Sequence, residues 1–496
     1  MKRVATGILP VVGIDRKAPK PLHRQIYDAY RAAIVGGTLR PGQRIPSTRG
    51  LARELGISRF PVLNAYGQLL AEGYFEGRVG AGTTVSSSLP EQFTRTATEP
   101  GLRLVPNRSG PRRVASRCSI LPRHESSPWA QGWGAFGTGQ AAFDHFPLRV
   151  WSRLIARHSR NADPRAFQYG DPMGLRPLRE TIASYLRTSR SLHCEAEQIM
   201  IVSGSQQALE LSARVLLDPG SRVWMEEPGY ALARDVFALA SCRLVPVPVD
   251  KDGLDVSAGI KRCPKPHAAF VTPSHQLPLG VTMSASRRMQ LLDWAQSSGS
   301  WIIEDDYDSE FRYDNLPIAS LQGLDTNARV IYVGTFSKVL YSSLRLGYLV
   351  IPSDLVGDFL TIRRTIDLGP PRFYQAVLAD FIGEGHFARH IRKMRILYRE
   401  RRNALVASVR KELGSMVEIL GSEAGLSLLL ALPQDSDDVE ISARAARQKL
   451  WVWPLSACYH AEPSRQGLVL GFASTEAAEI PPAVRKLRAL IEGRSA

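Results

Sequence analysis

The stretch GTFSKVLYSSLRLGY, Gly334 to Tyr348, sets one lysine, Lys338, in a loop of small residues, directly after Ser337 and seven positions ahead of Arg345. A lysine amine taken out of water can be neutral enough to act as a nucleophile. A guanidinium, planar and permanently charged, suits a phosphate. Other stretches carry residues of matching chemistry. SGSQQ, Ser203 to Gln207, joins a strand pattern to a helix start, and the free N–H groups of such a turn, at Ser205 and Gln206, suit an anion. Tyr230 closes EEPGY, placed to stack on a flat ring, and Asp305 and Tyr307 follow the apolar run WII. Taken singly, each has a bland alternative. A loop lysine is ordinarily solvated, Ser-Gly-Ser is ordinarily a turn, and EDDYDSE also reads as an acidic surface loop.

The elements that must position these residues alternate along the chain. From about Phe136 onward, QIMIVSG precedes the helical pattern SQQALELSARVLL, and RVWMEEPGY precedes ALARDVFALA. CRLVPVPVD, HAAFVTPS, WIIEDDYD and RVIYVGTFS follow as further strand patterns. That rhythm predicts an α/β fold with a largely parallel sheet. Ligands of such sheets bind at loops beyond the carboxyl ends of the strands, which is where the residues above fall.

A chain of 496 residues, 44% hydrophobic and 22% charged, is expected to hold more than one soluble domain. No apolar run reaches membrane-spanning length. The N-terminal apolar stretch is short and broken by Pro10, Gly13 and Asp15, so no signal peptide is read. Five scattered cysteines without a CxxC pair point to a reducing cytoplasm, and away from a zinc site or a disulfide framework. The net charge is +16, and residues 1–85 hold 13 Lys+Arg against 5 Asp+Glu. Half of the excess thus sits in about a sixth of the chain, which suggests an anionic partner such as nucleic acid.

Within that basic segment, Leu22, Ile26, Ala29 and Ala33 recur at helical spacing until Gly36-Gly37. Two further helices follow. Ser47 is the N-cap of one, with Leu51, Ala52 and Leu55 as its buried stripe; after Gly56, Ser58 caps the next, with Val62, Leu63, Tyr66, Leu69 and Leu70 inward. Pro61 falls in the first turn, where a missing N–H costs little. YFEGRVGAGTTV alternates around glycines as a two-stranded hairpin. Three helices and a hairpin make a winged helix-turn-helix.

IPSTRGLARELGISR, AYGQLLAEGY and GRVGAGTTV resemble the GntR-type winged helix over residues 15–85. By that resemblance Ser47, Arg49, Ser58 and Arg59 lie at double-stranded DNA, and Gly80 lets the wing approach the minor groove. Members usually carry small polar residues after the SR pair; here Phe60 and Pro61 stand there. Residues 86–130, rich in Ser, Pro, Arg and Gly without an apolar period, read as a flexible linker. Its arginines either touch phosphates or keep the segment solvated.

Residues 131–496 resemble the fold-type-I aminotransferases. YGDPMGLRPLRETIASYL, EEPGY, TPSHQLPLG, IIEDDYDSEFRY and GTFSKVLYSSLRLGY resemble more closely the MocR branch of GntR regulators, a winged helix fused to an aminotransferase-like domain, and the resemblance covers nearly the whole chain outside the linker. The resemblance implies pyridoxal 5′-phosphate, with Lys338 forming the Schiff base and Asp305 pairing with the ring nitrogen. It implies Tyr307 on the ring oxygen, Tyr230 on the ring face, and Ser205, Gln206, Ser337 and Arg345 around the phosphate. Tyr169 of YGDP would reach the phosphate of a neighbouring subunit, which implies a homodimer. Either His275 or Gln276 would border the cofactor, and Leu277 and Leu279 replace an aromatic and a small hydroxyl residue. The late strand QGLVLGFAS lacks the arginine with which transaminases hold the substrate carboxylate; Arg465 lies at its edge, and Ser427 stands where relatives often have histidine.

Three functions follow: a cytoplasmic regulator sensing an amine or amino acid, a working aminotransferase with a DNA-binding arm, or a regulator whose signal is pyridoxal phosphate itself.

Overall fold

The computed structural model describes residues 12–78, 82–88, 115–119, 121, 132, 134–160, 164, 168–313 and 319–493. Gly80 and nearly all of the 86–130 segment lie outside them. The chain divides into two compact units, residues 1–113 and 114–496.

In the smaller unit, α1 (Leu22–Val35), β1 (Arg44–Ile45), α2 (Thr48–Glu54), α3 (Arg59–Ala71), β2 (Phe75–Arg78) and β3 (Gly82–Val85) form three helices and an antiparallel sheet in the order β1-β3-β2. The buried stripe of α1 is Ile26, Tyr27, Tyr30 and Ile34, rotated from the one the spacing predicts, because two tyrosines supply core area. Tyr30, Tyr66 and Phe75 meet edge to face with ring centroids 5.2–5.7 Å apart. Ser47 caps α2 by accepting from Gly50 N at 3.1 Å. Ser58 occupies the N-cap position of α3, but its side chain makes no capping bond. The third residue of α3 is Pro61, which has no N–H to offer it. Leu63 and Leu70, expected inside, are 43% and 41% exposed.

The larger unit is built on an eight-stranded sheet of β4 (Ile199–Val202), β5 (Arg222–Glu227), β6 (Arg243–Asp250), β7 (Gly253–Leu254), β8 (Ala268–Val271), β9 (Trp301–Asp306), β10 (Val330–Thr335) and β11 (Gly347–Val350). The order is β4-β11-β10-β9-β8-β5-β6-β7. The pairs from β10 through β9, β8 and β5 to β6 are parallel, while β11 is antiparallel to both neighbours. All six strands that the sequence patterns predict are present. The strands are apolar runs because both faces are covered. On β4, Ile199 and Ile201 enter one core while Met200 and Val202 enter the other. A second, antiparallel sheet of β12 (Glu418–Leu420), β13 (Ser427–Leu432), β14 (Trp453–Pro454) and β15 (Gln466–Gly471) has the order β12-β13-β15-β14. Among the described residues no helix is long and apolar enough to cross a membrane, and the five cysteines are unpaired.

Trp224 of β5 is fully buried, stacks on Trp294 with centroids 4.0 Å apart, and donates from Nε1 to Cys263 O at 3.1 Å. A Cβ on Gly259 would lie 2.8 Å from its ring, so the helix Val256–Arg262 rests directly on it. Trp224→Ala is expected to destabilise the larger unit by about 3–5 kcal/mol. Denaturant unfolding followed by circular dichroism checks this; an unchanged midpoint contradicts it.

Candidate functional site

Several strand ends meet along one edge of the large sheet. β9 and β10 run side by side, Asp305 opposite Val333 and Asp306 opposite Gly334. The Asp305 carboxylate and the loop bearing Ser337 and Lys338 therefore leave the sheet together. β4 ends beside them, because Val202 and Thr335 both pair with Gly347 at the start of β11. The segments after β5 and β8, which carry Tyr230 and His275, emerge from the same parallel edge.

Lys338 is enclosed. Its Nζ donates to Gly139 O at 3.1 Å. A Cβ on Gly139 would lie 2.3 Å from that nitrogen, and Gly139 has φ +68°, so glycine is required there twice over. Burial pushes the pKa of the amine down, against the opposing pull of Asp308 and Asp305. Asp305 is 3% exposed, and burial pushes its carboxyl up to about 7. Asp306 and Asp308 push in the same direction, while Lys338 and the Ser205 hydroxyl oppose. Asp305 Oδ1 has no hydrogen-bond partner. A buried carboxylate oxygen without a donor suits the N–H of a cationic ligand.

The helix Ser205–Leu216 begins at Gly204, whose φ is +120°. A Cβ there would stand 3.5 Å from Arg345 Nη1. The first-turn N–H groups of any helix have no acceptor within it, and here the guanidinium stands beside them, so the two together form an anion cradle. Its shape is fixed from below: Gln207 Oε1 accepts from Ser203 N at 2.8 Å and from Arg363 Nη1 at 3.1 Å, and its Nε2 donates to Asp367 at 2.7 Å. Gln206 Nε2 donates to the Tyr230 hydroxyl at 3.3 Å. Burial pushes that phenol up to about 12, Asp305 adds to the rise, and Arg345 opposes it. Tyr230 thus lies within the field of both the carboxylate and the guanidinium. The Ser337 amide donates to Thr335 Oγ1 at 3.2 Å, tightening the turn before Lys338.

Tyr307 is held from the other side. Its hydroxyl donates to His275 O at 2.8 Å and lies 3.1 Å from His275 Nδ1, and Asp308 Oδ2 is 3.1 Å from the same nitrogen. Burial pulls the imidazole pKa down, but the charge and hydrogen bond of Asp308 outweigh it and hold the pKa up. Gln276, 1% exposed, is turned toward Glu226 and the carbonyls of Pro228 and Leu277.

The structure therefore brings together Ser205, Gln206, Tyr230, Asp305, Tyr307, Ser337, Lys338 and Arg345. Tyr169 stands apart at 87% exposed. In the smaller unit Arg49 is exposed, and Arg59 Nε donates to Thr48 Oγ1 at 3.0 Å. Sequence reasoning missed Gly139 and Asp308. The run GAFGTGQ and the second aspartate of DYD are visible signals, but neither says which side chain it meets. β15 carries no arginine; its Val469 packs with Leu279, Leu429 and Leu455. Ser427 opens β13 opposite Gly471.

The Asp305 shift has a stability consequence. Between its ordinary value of 3.8 and about 7 the folded chain holds a proton that the unfolded chain has released. Stability from this group therefore falls as pH rises through that window, and the cost is fully present above it. Asp305→Asn is expected to stabilise the ligand-free larger unit by on the order of 2 kcal/mol at pH 8 and by little at pH 4. Urea unfolding at the two pH values checks it; equal effects at both contradict it.

Residues 133–487 match the family described as aminotransferase class I and II, and residues 22–85 match bacterial regulatory proteins of the gntR family. The chain is 39% identical to the "Probable rhizopine catabolism regulatory protein MocR" of Rhizobium meliloti, over 96% of this chain and 94% of that protein. It is 34% identical to the HTH-type transcriptional regulator YdeL of Bacillus subtilis, over 96% and 98% respectively. The multiple substrate aminotransferase of Thermococcus profundus superposes on 77% of this chain and 97% of its own, with a TM-score of 0.71 and 26% identity. With both modules matched in this order, the chain belongs to the MocR-type GntR regulators, a winged helix-turn-helix followed by a class I and II aminotransferase domain.

Proposed function

We propose that this chain is a cytoplasmic transcriptional regulator that carries pyridoxal 5′-phosphate at Lys338 and binds operator DNA as a homodimer. Its signal is an amine or amino-acid effector, or the cofactor itself. Residues 15–85 form the DNA-binding domain, 86–130 the linker, and 131–496 the effector and dimerisation domain. One observation carries the reading: a half-buried amine with a lowered pKa and a buried carboxylate with an unpartnered oxygen leave the sheet from adjacent strands.

The residues fit the cofactor group by group. Lys338 supplies the amine. Asp305 Oδ1 would accept from a protonated ring nitrogen, and that charge would draw the carboxyl pKa back down from about 7. Tyr230 offers a ring face, and Tyr307, braced by His275 and Asp308, offers a hydroxyl. The start of the helix Ser205–Leu216 and Arg345 would hold the phosphate. When bound, the cofactor supplies an aldehyde that condenses with amines and a ring that withdraws electrons. The residues of this chain would bind and orient it, and burial lowers the pKa of the Lys338 amine, which favours its neutral, nucleophilic form. The exposure of Tyr169 supports its reaching into a second subunit, and two-fold symmetry would present two winged helices to paired half-sites.

The regulator reading is preferred to a working aminotransferase because β15 presents no cation to clamp a substrate carboxylate. The test is to mix the purified protein with amino acids and a keto acid acceptor. A stable spectral change without keto acid turnover supports the regulator, and repeated turnover supports the enzyme.

Lys338→Ala is expected to abolish the visible absorbance of the lysine-bound cofactor while leaving the circular dichroism unchanged. An identical band in the variant would remove the assignment. Arg49→Ala or Arg59→Ala should weaken duplex binding by about 1–3 kcal/mol and leave cofactor retention intact. Gel-shift affinities equal to those of the parent for both variants would contradict the placement of DNA on α2 and α3.

A further inference from the structure

We infer that Phe60 reads the 5-methyl group of a thymine in the major groove; this rests on the DNA-binding role proposed above. Phe60 is the second residue of α3, between Arg59 and Pro61, and it is 69% exposed, the highest value for any large apolar side chain described in the smaller unit. The inward face of α3 is complete without it, since Val62, Ala65, Tyr66 and Leu69 fill the core. The outward face is Phe60, Leu63, Asn64 and Gly67, spaced as i, i+3, i+4 and i+7. An exposed phenyl ring and a 43% exposed Leu63 on one helix face are costly in water and form a surface that fits an apolar target.

The setting identifies the target. From Leu55 to Ala71 the sequence has no Asp or Glu and one cation, Arg59, at the helix start. Arg49 is exposed at the start of α2, next to Thr48, whose hydroxyl accepts from Arg59. Cations flanking an acid-free apolar face fit the phosphates that flank a groove. The one apolar group a base pair displays in the major groove is the C5-methyl of thymine. Asn64, one turn beyond Phe60, has the amide that pairs bidentately with adenine. Phe60 and Asn64 therefore favour A·T pairs over G·C on the stretch they cover. The stiff ring of Pro61 in the first turn fixes the backbone from which Phe60 projects.

The experiment uses the full chain and a duplex selected by it from a random pool. Each thymine is replaced in turn by deoxyuridine, which removes only the methyl group, and affinities are measured by fluorescence anisotropy. The wild type should lose about fourfold at one thymine per half-site, the effect of burying one methyl group. Phe60→Ala should bind the parent and that deoxyuridine duplex equally. The proposal is overturned if no deoxyuridine weakens the wild type, or if F60A suffers the same loss. Failure of the wild type to select any duplex would overturn the DNA-binding reading, and this inference with it.

Discussion

Three consecutive carboxylates close a strand buried from Ile302 to Asp306, and the larger unit is organised around what becomes of their charge. Taking an ion out of water costs several kcal/mol unless partners meet it. Strand geometry sends alternate side chains to opposite faces, so Glu304 and Asp306 point one way and Asp305 the other. Glu304 accepts from the Leu321 and Gln322 amides at 2.9 and 3.0 Å, with Arg288 at 3.9 Å. Asp306 takes on one oxygen the Arg190 guanidinium at 2.7 Å, the Tyr332 hydroxyl at 2.5 Å and the Ser309 hydroxyl at 2.8 Å. Asp306 Oδ1 and Asp305 Oδ1 are both buried without a partner, but the other oxygen of Asp306 is met by the Arg190 guanidinium, whereas Asp305 lies on the opposite side of the strand. The two flanking carboxylates are structural, and the middle one faces the edge where the lysine loop emerges.

The surrounding elements make sense as ways of holding that arrangement. Arg190 is delivered by the end of the helix Arg176–Ser189, where it occupies the C-cap position. Arg288, with no exposed surface, donates to the carbonyls of Met283 and Pro273 and so ties the segment before His275 to the helix Ala285–Ser298. Gly334, opposite Asp306, has no Cβ because the Tyr348 ring would be 2.2 Å from one. Loss of any of these contacts would be felt first as a shift of β9 and then as a misplaced Asp305.

Much of this was legible in the sequence because it rests on local pattern. Apolar runs broken by Ser-Gly or Pro-Gly marked the strands, and the loops after them carried the polar residues. The failures have a common cause. The α1 stripe was assigned by spacing alone, which treats alanine and tyrosine alike, whereas the core selected the larger ring areas of Tyr27 and Tyr30. The apolar pattern of α3 predicts Leu63 and Leu70 inside with Val62, Tyr66 and Leu69, but Val62, Ala65, Tyr66 and Leu69 fill the inward face. Gly139 and Asp308 depend on contacts across the fold: nearly 200 residues separate Gly139 from Lys338, and no local pattern encodes that meeting.

The same constraint explains why a regulator can keep this machinery without the late arginine. A catalyst must hold its substrate in one orientation and bind the transition state more tightly than the ground state, which an ionic clamp on a carboxylate serves directly. A sensor needs only that occupancy favours one arrangement of the molecule over another. In the proposed reading, a cationic group set against Asp305 would relieve its burial cost, and that gain does not depend on a clamp for a carboxylate. With Val469, Leu279 and Leu429 packed on one another at β15, recognition in the proposed reading would fall to the Lys338–Asp305 end, where binding could be reported without turnover.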